Sequence, residues 1–220
     1  MKKILVVLLL CGCFATEPDI RDINGDGLIE VCVLGDSNTA EAYPPAPRGF
    51  PGWCAQLQTE RPEWVVHCEW ARGSAVAADF PKELTDAHPE FLQYTARWQI
   101  EESIVNATCD VYVLAFGTND LALGKTGAEI RDQLFLLGAT YLIPHIVYVT
   151  TIPNTYNHPL QPKIDAANSV LIDSFPYLVD FTSGFKKRHF DDDGVHFTEA
   201  GHTLRMQRFL DATGDGYGCH

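Results

Sequence analysis

The sequence predicts an α/β fold, a three-layer sandwich in which a central parallel sheet of about five strands is flanked by helices. Three observations predict it. From residue 29 onward, short β-branched runs alternate with longer helical patterns, as in a chain of βαβ units. Two of the runs, Val111-Tyr-Val-Leu-Ala-Phe and Ile146-Val-Tyr-Val-Thr-Thr, are almost unbroken, which suits strands covered on both faces. Of the 220 residues, 46% are hydrophobic and 20% charged, the composition of one compact domain rather than of a disordered or fibrous chain.

The elements follow in order. Met1-Lys2-Lys3 and the apolar run Ile4 to Leu10 form a positive segment and a hydrophobic stretch too short to span a bilayer, so residues 1–15 read as a bacterial-type signal peptide. Leu10-Cys11-Gly12-Cys13 is similar to a lipobox with Cys13 as the lipidated residue, whereas Cys13-Phe14-Ala15 suits an ordinary cleavage site. Either way the expected location is outside the cytoplasm: secreted, periplasmic or lipid-anchored. A polar segment, 16–28, precedes a single domain, 29–220. Its strands are expected at Ile29 to Leu34, Trp64 to Glu69, Val111 to Phe116, Ile146 to Thr151 and Tyr177 to Phe181. Helices fit at about residues 52–60, 91–106, 127–142, 162–173 and 198–211, the last with Thr198 as N-cap. The Pro-rich stretch Tyr43 to Pro51 is a loop after the first strand.

The net charge is −13, and loss of Lys2 and Lys3 with the leader makes the mature chain two units more negative. Nucleic acids and anionic membranes reward basic surface, so neither is an expected partner. Membrane attachment is expected only through an N-terminal lipid.

Ligands of a parallel sheet bind beyond the carboxyl ends of its strands. There stand Gly35-Asp36-Ser37-Asn38 after the first strand, Arg72-Gly73-Ser74 after the second and Gly117-Thr118-Asn119-Asp120 after the third, with Asp193-Gly194-Val195-His196 before the last helix. A serine hydroxyl becomes a useful nucleophile when an imidazole takes its proton, and a carboxylate three residues before the histidine can reach the other ring nitrogen. Ser37, His196 and Asp193 are the candidates for these roles.

In this order, the four segments resemble the blocks of the SGNH, or GDSL-like, hydrolases, and the resemblance spans about residues 29 to 211. It implies a flavodoxin-like SGNH fold and an esterase that requires no cofactor. It also assigns the oxyanion donors: the Ser37 and Gly73 amides and the Asn119 side chain. Asn38 departs from the commonest pattern, in which leucine follows the serine. Asp36 is expected to brace the nucleophile turn. Asp191 and Asp192 read as solvated neighbours of Asp193, and His189 and His202 as surface or packing histidines. The implied substrates are short-chain acyl or aryl esters, cleaved through an acyl-enzyme. A carbohydrate O-deacetylase or an acyltransferase using the same serine is the alternative within enzymes. Pocket walls are expected from the loops 39–50, 120–126, 152–162 and 182–190, with Tyr43, Phe50, Tyr156 and Phe185 as aromatic candidates.

Asp22-x-Asn24-x-Asp26-Gly27 matches the opening of a calcium loop, but its twelfth position is Val33, where the closing acid is needed. Asp211-x-Thr213-x-Asp215-Gly216 is a similar half-motif. Both are read as polar turns in preference to calcium sites, and a calcium-dependent binding module is the alternative of another class. No Cys/His cluster suggests zinc. Five cysteines follow the leader. The predicted sheet edges suggest the pairs Cys54–Cys68 and Cys109–Cys219, leaving Cys32 as a buried free thiol.

Overall fold

A computed structural model describes residues 20–40 and 49–214. Five parallel strands, β1 (Ile29–Gly35), β2 (Trp64–His67), β3 (Val111–Ala115), β4 (Ile146–Thr150) and β5 (Leu178–Val179), form one sheet in the order β2-β1-β3-β4-β5. The chain goes from β1 to one side and then returns to build β3 on the other, so the switch point of this flavodoxin-like order lies between β1 and β3.

Alternation along the strands supplies two cores. Cys32, Leu34, Tyr112, Leu114 and Val149 pack in one apolar cluster with residues of α3 (Ala96–Asn106), α5 (Gly127–Tyr141) and α6 (Gln161–Ile172). Val31, Val33, Val111, Val113 and Val179 pack in the other with α1 (Trp53–Glu60) and α7 (Glu199–Ala212). In α7 the buried positions His202, Arg205, Met206, Phe209 and Leu210 follow the helical period, and Thr198 caps its first turn by accepting from the Gly201 amide. A capping box starts α5: the Thr126 hydroxyl accepts from the Glu129 amide at 3.2 Å, and the Thr126 amide donates to the Glu129 carboxylate at 2.8 Å.

The expected helix 91–106 is broken. A 3-10 turn covers Pro89–Tyr94, and α3 begins only at Ala96. Thr95 is extended, its hydroxyl accepts the Trp98 amide, and Val76 pairs with the backbone on both sides of it, so no continuous helix can pass. Two short helices, α2 (Lys82–Ala87) and α4 (Thr118–Ala122), were not expected. The last strand shrinks from Tyr177–Phe181 to two residues because the Phe181 amide leaves the ladder for the Thr151 hydroxyl, 2.7 Å away.

Among the described residues the disulfides are Cys54–Cys68, as expected, and Cys32–Cys109, which corrects both the Cys109–Cys219 pair and the free Cys32 thiol. The reason is strand order. β1 and β3 are neighbours, and Cys109, just ahead of β3, stands 5.8 Å (Cα to Cα) from Cys32 in the adjoining strand. Cys219, Asp215, Tyr43 and the leader with its lipobox lie outside the described residues.

At the amino end of the sheet, Asp22, Asn24 and Asp26 turn their oxygens onto backbone amides of their own loop. Asp211, in the last turn of α7, accepts from the Gln207 side chain. Among the described residues no group of three or more His, Cys, Asp or Glu could hold a metal ion, and no helix is long and apolar enough to cross a membrane.

Candidate active site

β1 ends at Gly35, whose amide and carbonyl are both taken by the buried Gln99 side chain of α3, at 2.9 and 3.0 Å. A Cβ here would meet the Ala115 carbonyl at 2.7 Å, so glycine is required where β1 and β3 approach. The chain then turns as a single helical loop. The Asp36 carboxylate accepts the Asn38 amide at 2.9 Å, and the Asp36 carbonyl accepts the Thr39 and Ala40 amides, both at 2.9 Å. Asp36 thus braces the turn as expected. Burial pushes its carboxyl up, and the Asn38 amide, then Arg205 and His196, draw it back.

Ser37 opens this turn, and its Oγ lies 3.0 Å from His196 Nε2. The loop that carries His196 is closed by a bridge between Phe190 and Phe197. Inside it, Asp193 Oδ1 accepts the Val195 and His196 amides at 2.8 and 2.9 Å, while Oδ2 lies 2.5 Å from His196 Nδ1. A carboxylate can only accept, so Nδ1 carries the hydrogen and Nε2 faces Ser37 as the acceptor. Partial burial works against ionisation of Asp193, but the His196 ring and the two amides outweigh it and hold the carboxyl down to about 2. Gly194 has φ +70°, and a Cβ there would fall on the Tyr156 carbonyl.

Beyond β3, Gly117 (φ +127°) starts α4, which carries Asn119 and Asp120. Asn119 Nδ2 donates to the Ala75 carbonyl at 2.9 Å, and the buried Asp120 carboxylate accepts the Ala77 and Ala78 amides at 2.8 and 3.0 Å. The Arg72 amide donates to the Gly35 carbonyl at 3.1 Å. Together these bonds lash the Gly73 loop to the ends of β1 and β3. Among the described residues, neither the Ser37 nor the Gly73 amide is taken by another protein acceptor, and Asn119 keeps its second amide hydrogen. Burial pushes Asp120 up, its backbone amides pull it down, and Asp36 pushes it up again.

A family model, the GDSL-like lipase/acylhydrolase family, matches residues 33–204. The chain belongs to that family. Solved structures agree on the fold. A G-D-S-L family lipolytic protein from Veillonella parvula is 18% identical with a TM-score of 0.62, covering 83% of this chain and 97% of its own. The lipase/acylhydrolase from Enterococcus faecalis is 19% identical with a TM-score of 0.61, covering 85% and 96%. An acetyl xylan esterase from Geobacillus stearothermophilus is 18% identical with a TM-score of 0.59, covering 87% and 97%. No curated protein sequence matches the chain.

Within this GDSL-like frame the expected pocket aromatics take different places. Tyr156 stacks on Phe190 and helps to line a cavity of about 330 Å³ with Asn157, Lys187, Phe190 and Asp191 to Asp193. Phe185 packs among His189, Phe190 and Phe197, and Phe50 tilts against His202. His189 and His202 are buried and act in packing: His189 Nδ1 accepts the Lys186 amide and His202 Nδ1 the Trp53 amide.

Sequence reasoning missed Gln99 and Arg205. Both are buried polar residues on apolar helix stripes, Gln99 beside Ala96, Ile100 and Ser103, Arg205 beside His202, Met206 and Phe209. A polar residue in register with an apolar stripe was the available signal. Asn38, noted only as a departure, directs Nδ2 toward the Val195 carbonyl at 3.4 Å, a long contact between the serine turn and the histidine loop.

Proposed function

We propose that the protein is a serine ester hydrolase that cleaves short-chain acyl or aryl carboxylic esters through an acyl-enzyme. The observation that carries this reading is the relay from Ser37 Oγ to His196 Nε2 at 3.0 Å and from His196 Nδ1 to Asp193 Oδ2 at 2.5 Å. Ser37 attacks the ester carbonyl while His196 takes its proton. The oxyanion forms toward the Ser37 and Gly73 amides and the Asn119 side chain, donors worth about 3 kcal/mol each in comparable sites. The C–O bond to the alcohol breaks, and the alkoxide leaves with the proton from Nε2. Water then attacks the acyl-enzyme, returns a proton to Nε2, and Ser37 departs with it. No step calls for a cofactor.

A second reading, a carbohydrate O-deacetylase, is favoured by the cavity beside Asp193. The leaving oxygen must come within reach of Nε2 to be protonated, so the alcohol part projects to the imidazole side. Tyr156 gives the cavity next to Asp193 an aromatic wall, and Asn157, Lys187 and Asp191 to Asp193 give it polar groups suited to a polyhydroxylated alcohol. The substrate in either reading is a small or carbohydrate-linked ester, and the net charge of −13 disfavours nucleic acids and anionic membranes as partners. Two disulfides fit export to an oxidising compartment.

Fluorophosphonate labelling with peptide mapping is the test, and Ser37 should be the labelled residue. Ser37→Ala should reduce hydrolysis of p-nitrophenyl acetate to background while Tm stays near wild type. A folded Ser37→Ala that keeps its activity sinks the proposal. Turnover of acetylated sugars against aryl acetates, with and without an added alcohol acceptor, separates deacetylase, aryl esterase and acyltransferase.

A further inference from the structure

Arg205 is 1% exposed, and the relay described above leaves it unused. Its guanidinium carbon lies 4.6 Å from the ring centroid of Phe181, 5.3 Å from that of Trp53 and 5.4 Å from that of Phe197. Nothing about packing α7 against the sheet needs a cation there; Met206 and Phe209 serve that purpose beside it. The cage instead aims one end of the side chain at the serine turn, where Nη1 donates to the Asn38 carbonyl. On the other side of the same residue, the Asn38 amide donates to Asp36 Oδ1 at 2.9 Å. The residue that follows the nucleophile is therefore held at its N–H by the buried Asp36 carboxyl group and at its C=O by the buried Arg205 guanidinium.

We propose that Arg205 is a positioning residue for ester hydrolysis, which fixes the Asn38 carbonyl and so aims the Ser37 hydroxyl at His196 and the Ser37 amide at the oxyanion. This rests on Ser37 being the nucleophile. The argument is geometric. The Asn38 N–H and C=O belong to the two peptide planes on either side of its Cα, so with both held the residue that follows Ser37 cannot turn about its own φ and ψ, and a small misplacement of a nucleophile is costly in rate. The aromatic faces stabilise the cation away from water without competing for its N–H groups. Burial, offset in part by Asp36, pushes Arg205 down to about 9, which leaves the guanidinium charged at neutral pH.

The groups that face Arg205 define what a substitution does. Asp36 opposes it from the end of β1, coupled in turn to His196 and Asp120. α1, the segment after β5 and the loop before α7 present the neutral rings of Trp53, Phe181 and Phe197. The titratable neighbour on its own helix, His202, accepts the Trp53 amide. Arg205→Met keeps the bulk and removes the donor. Arg205→Lys keeps a donor, but burial without a carboxylate in contact lowers the pKa of an ammonium, so this cation is lost as pH rises.

Steady-state kinetics on p-nitrophenyl acetate between pH 6 and 8.5, with Tm measured for every variant, test the proposal. Arg205→Met should lower kcat about 10- to 100-fold, the effect of losing a charge-assisted hydrogen bond, with KM within about twofold of wild type. For Arg205→Lys, kcat relative to wild type should be highest at pH 6 and fall steadily toward pH 8.5. A residue that merely supports the fold would give neither the kcat-only loss nor the alkaline decline. Wild-type kcat in folded Arg205→Met, or a pH-independent Arg205→Lys ratio, overturns the proposal. If Arg205→Met does not fold, the Arg205→Lys ratio decides alone. Failure of the wild-type enzyme to label at Ser37 overturns the nucleophile and this role together, whereas labelled wild type with unaffected variants overturns only the role of Arg205.

Discussion

Two acidic, glycine-containing loops stand at opposite ends of the sheet, Asp22 to Gly27 before β1 and Asp191 to Gly194 beside Ser37. Their compositions are close, yet their carboxylates are used differently. Asp22 gives both oxygens to its own loop, accepting the Gly25 amide at 2.5 Å and the Gly27 amide at 2.7 Å. Asp193 gives one oxygen to two backbone amides and reserves the other for the His196 ring. The first carboxylate is absorbed by local structure. In the second, the same kind of turn spends half of its acceptor capacity on rigidity and leaves the rest for an imidazole. The difference comes from position in the fold: only the carboxyl end of the sheet offers a histidine facing a strand-end serine.

The largest expected effect breaks this comparison at the shared residue type. Asp193→Asn should lower kcat by about 10³- to 10⁴-fold, because the amide no longer fixes the tautomer with hydrogen on Nδ1. With p-nitrophenyl acetate, whose aryl alcohol part has no hydroxyls for the acid-lined cavity, Asp22→Asn, Asp191→Asn and Asp192→Asn should leave kcat within about twofold, since no reacting atom depends on them. Kinetics on the four variants check this, and an Asp191 or Asp192 variant as damaged as Asp193→Asn would reassign the third member of the relay.

A smaller effect separates the glycines. Gly27 has φ +89° and open space around its Cβ position, so Gly27→Ala should cost about 1 kcal/mol through backbone strain alone and leave kcat unchanged. Gly194 combines φ +70° with the Tyr156 carbonyl in the way. Gly194→Ala should therefore cost more stability and also lower kcat, by displacing Asp193 and His196. Equal kcat in the two variants would show that the Tyr156 contact does not hold the histidine loop.

The smallest effect sharpens the comparison by pH. The Asp193 carboxyl is lowered in the folded state from 3.8 to about 2. Its contribution to stability is complete above the unfolded value and disappears as pH falls through the folded one. The Tm difference between wild type and Asp193→Asn should accordingly narrow as pH drops from about 4 to about 2. Because the side chain is 50% exposed, solvent screening keeps the difference small. A gap that stays constant across this window would contradict the depressed value.

What could be read from the sequence follows the range of the interactions involved. Val111-Tyr-Val-Leu-Ala and Ile146-Val-Tyr-Val-Thr announce buried strands because their period is local, and Asp193 to His196 announces a turn that links neighbours three apart. The family blocks then placed Ser37 against His196 across 159 residues, which no local rule does. Strand order is non-local, and Cys32 was misread for that reason: nothing in its own surroundings says that Cys109 arrives in the next strand. Gln99 and Arg205 were hidden because each joins a helix to a strand-end turn through side-chain contacts with residues far away in the sequence. The break at Thr95 was hidden because it depends on pairing with Val76.

The two disulfides are nested: the Cys54–Cys68 loop lies wholly inside the Cys32–Cys109 loop. A single peptide-bond cut anywhere between Cys32 and Cys109 therefore leaves the two pieces joined by sulfur, and a cut between Cys54 and Cys68 leaves them joined twice. That stretch includes Ser37 and Gly73, while Asn119, Asp193 and His196 stand on the far side of Cys109. An exported enzyme nicked by a protease in this region would keep both halves of its relay in one covalent molecule, and its loss of activity would follow reduction more closely than cleavage.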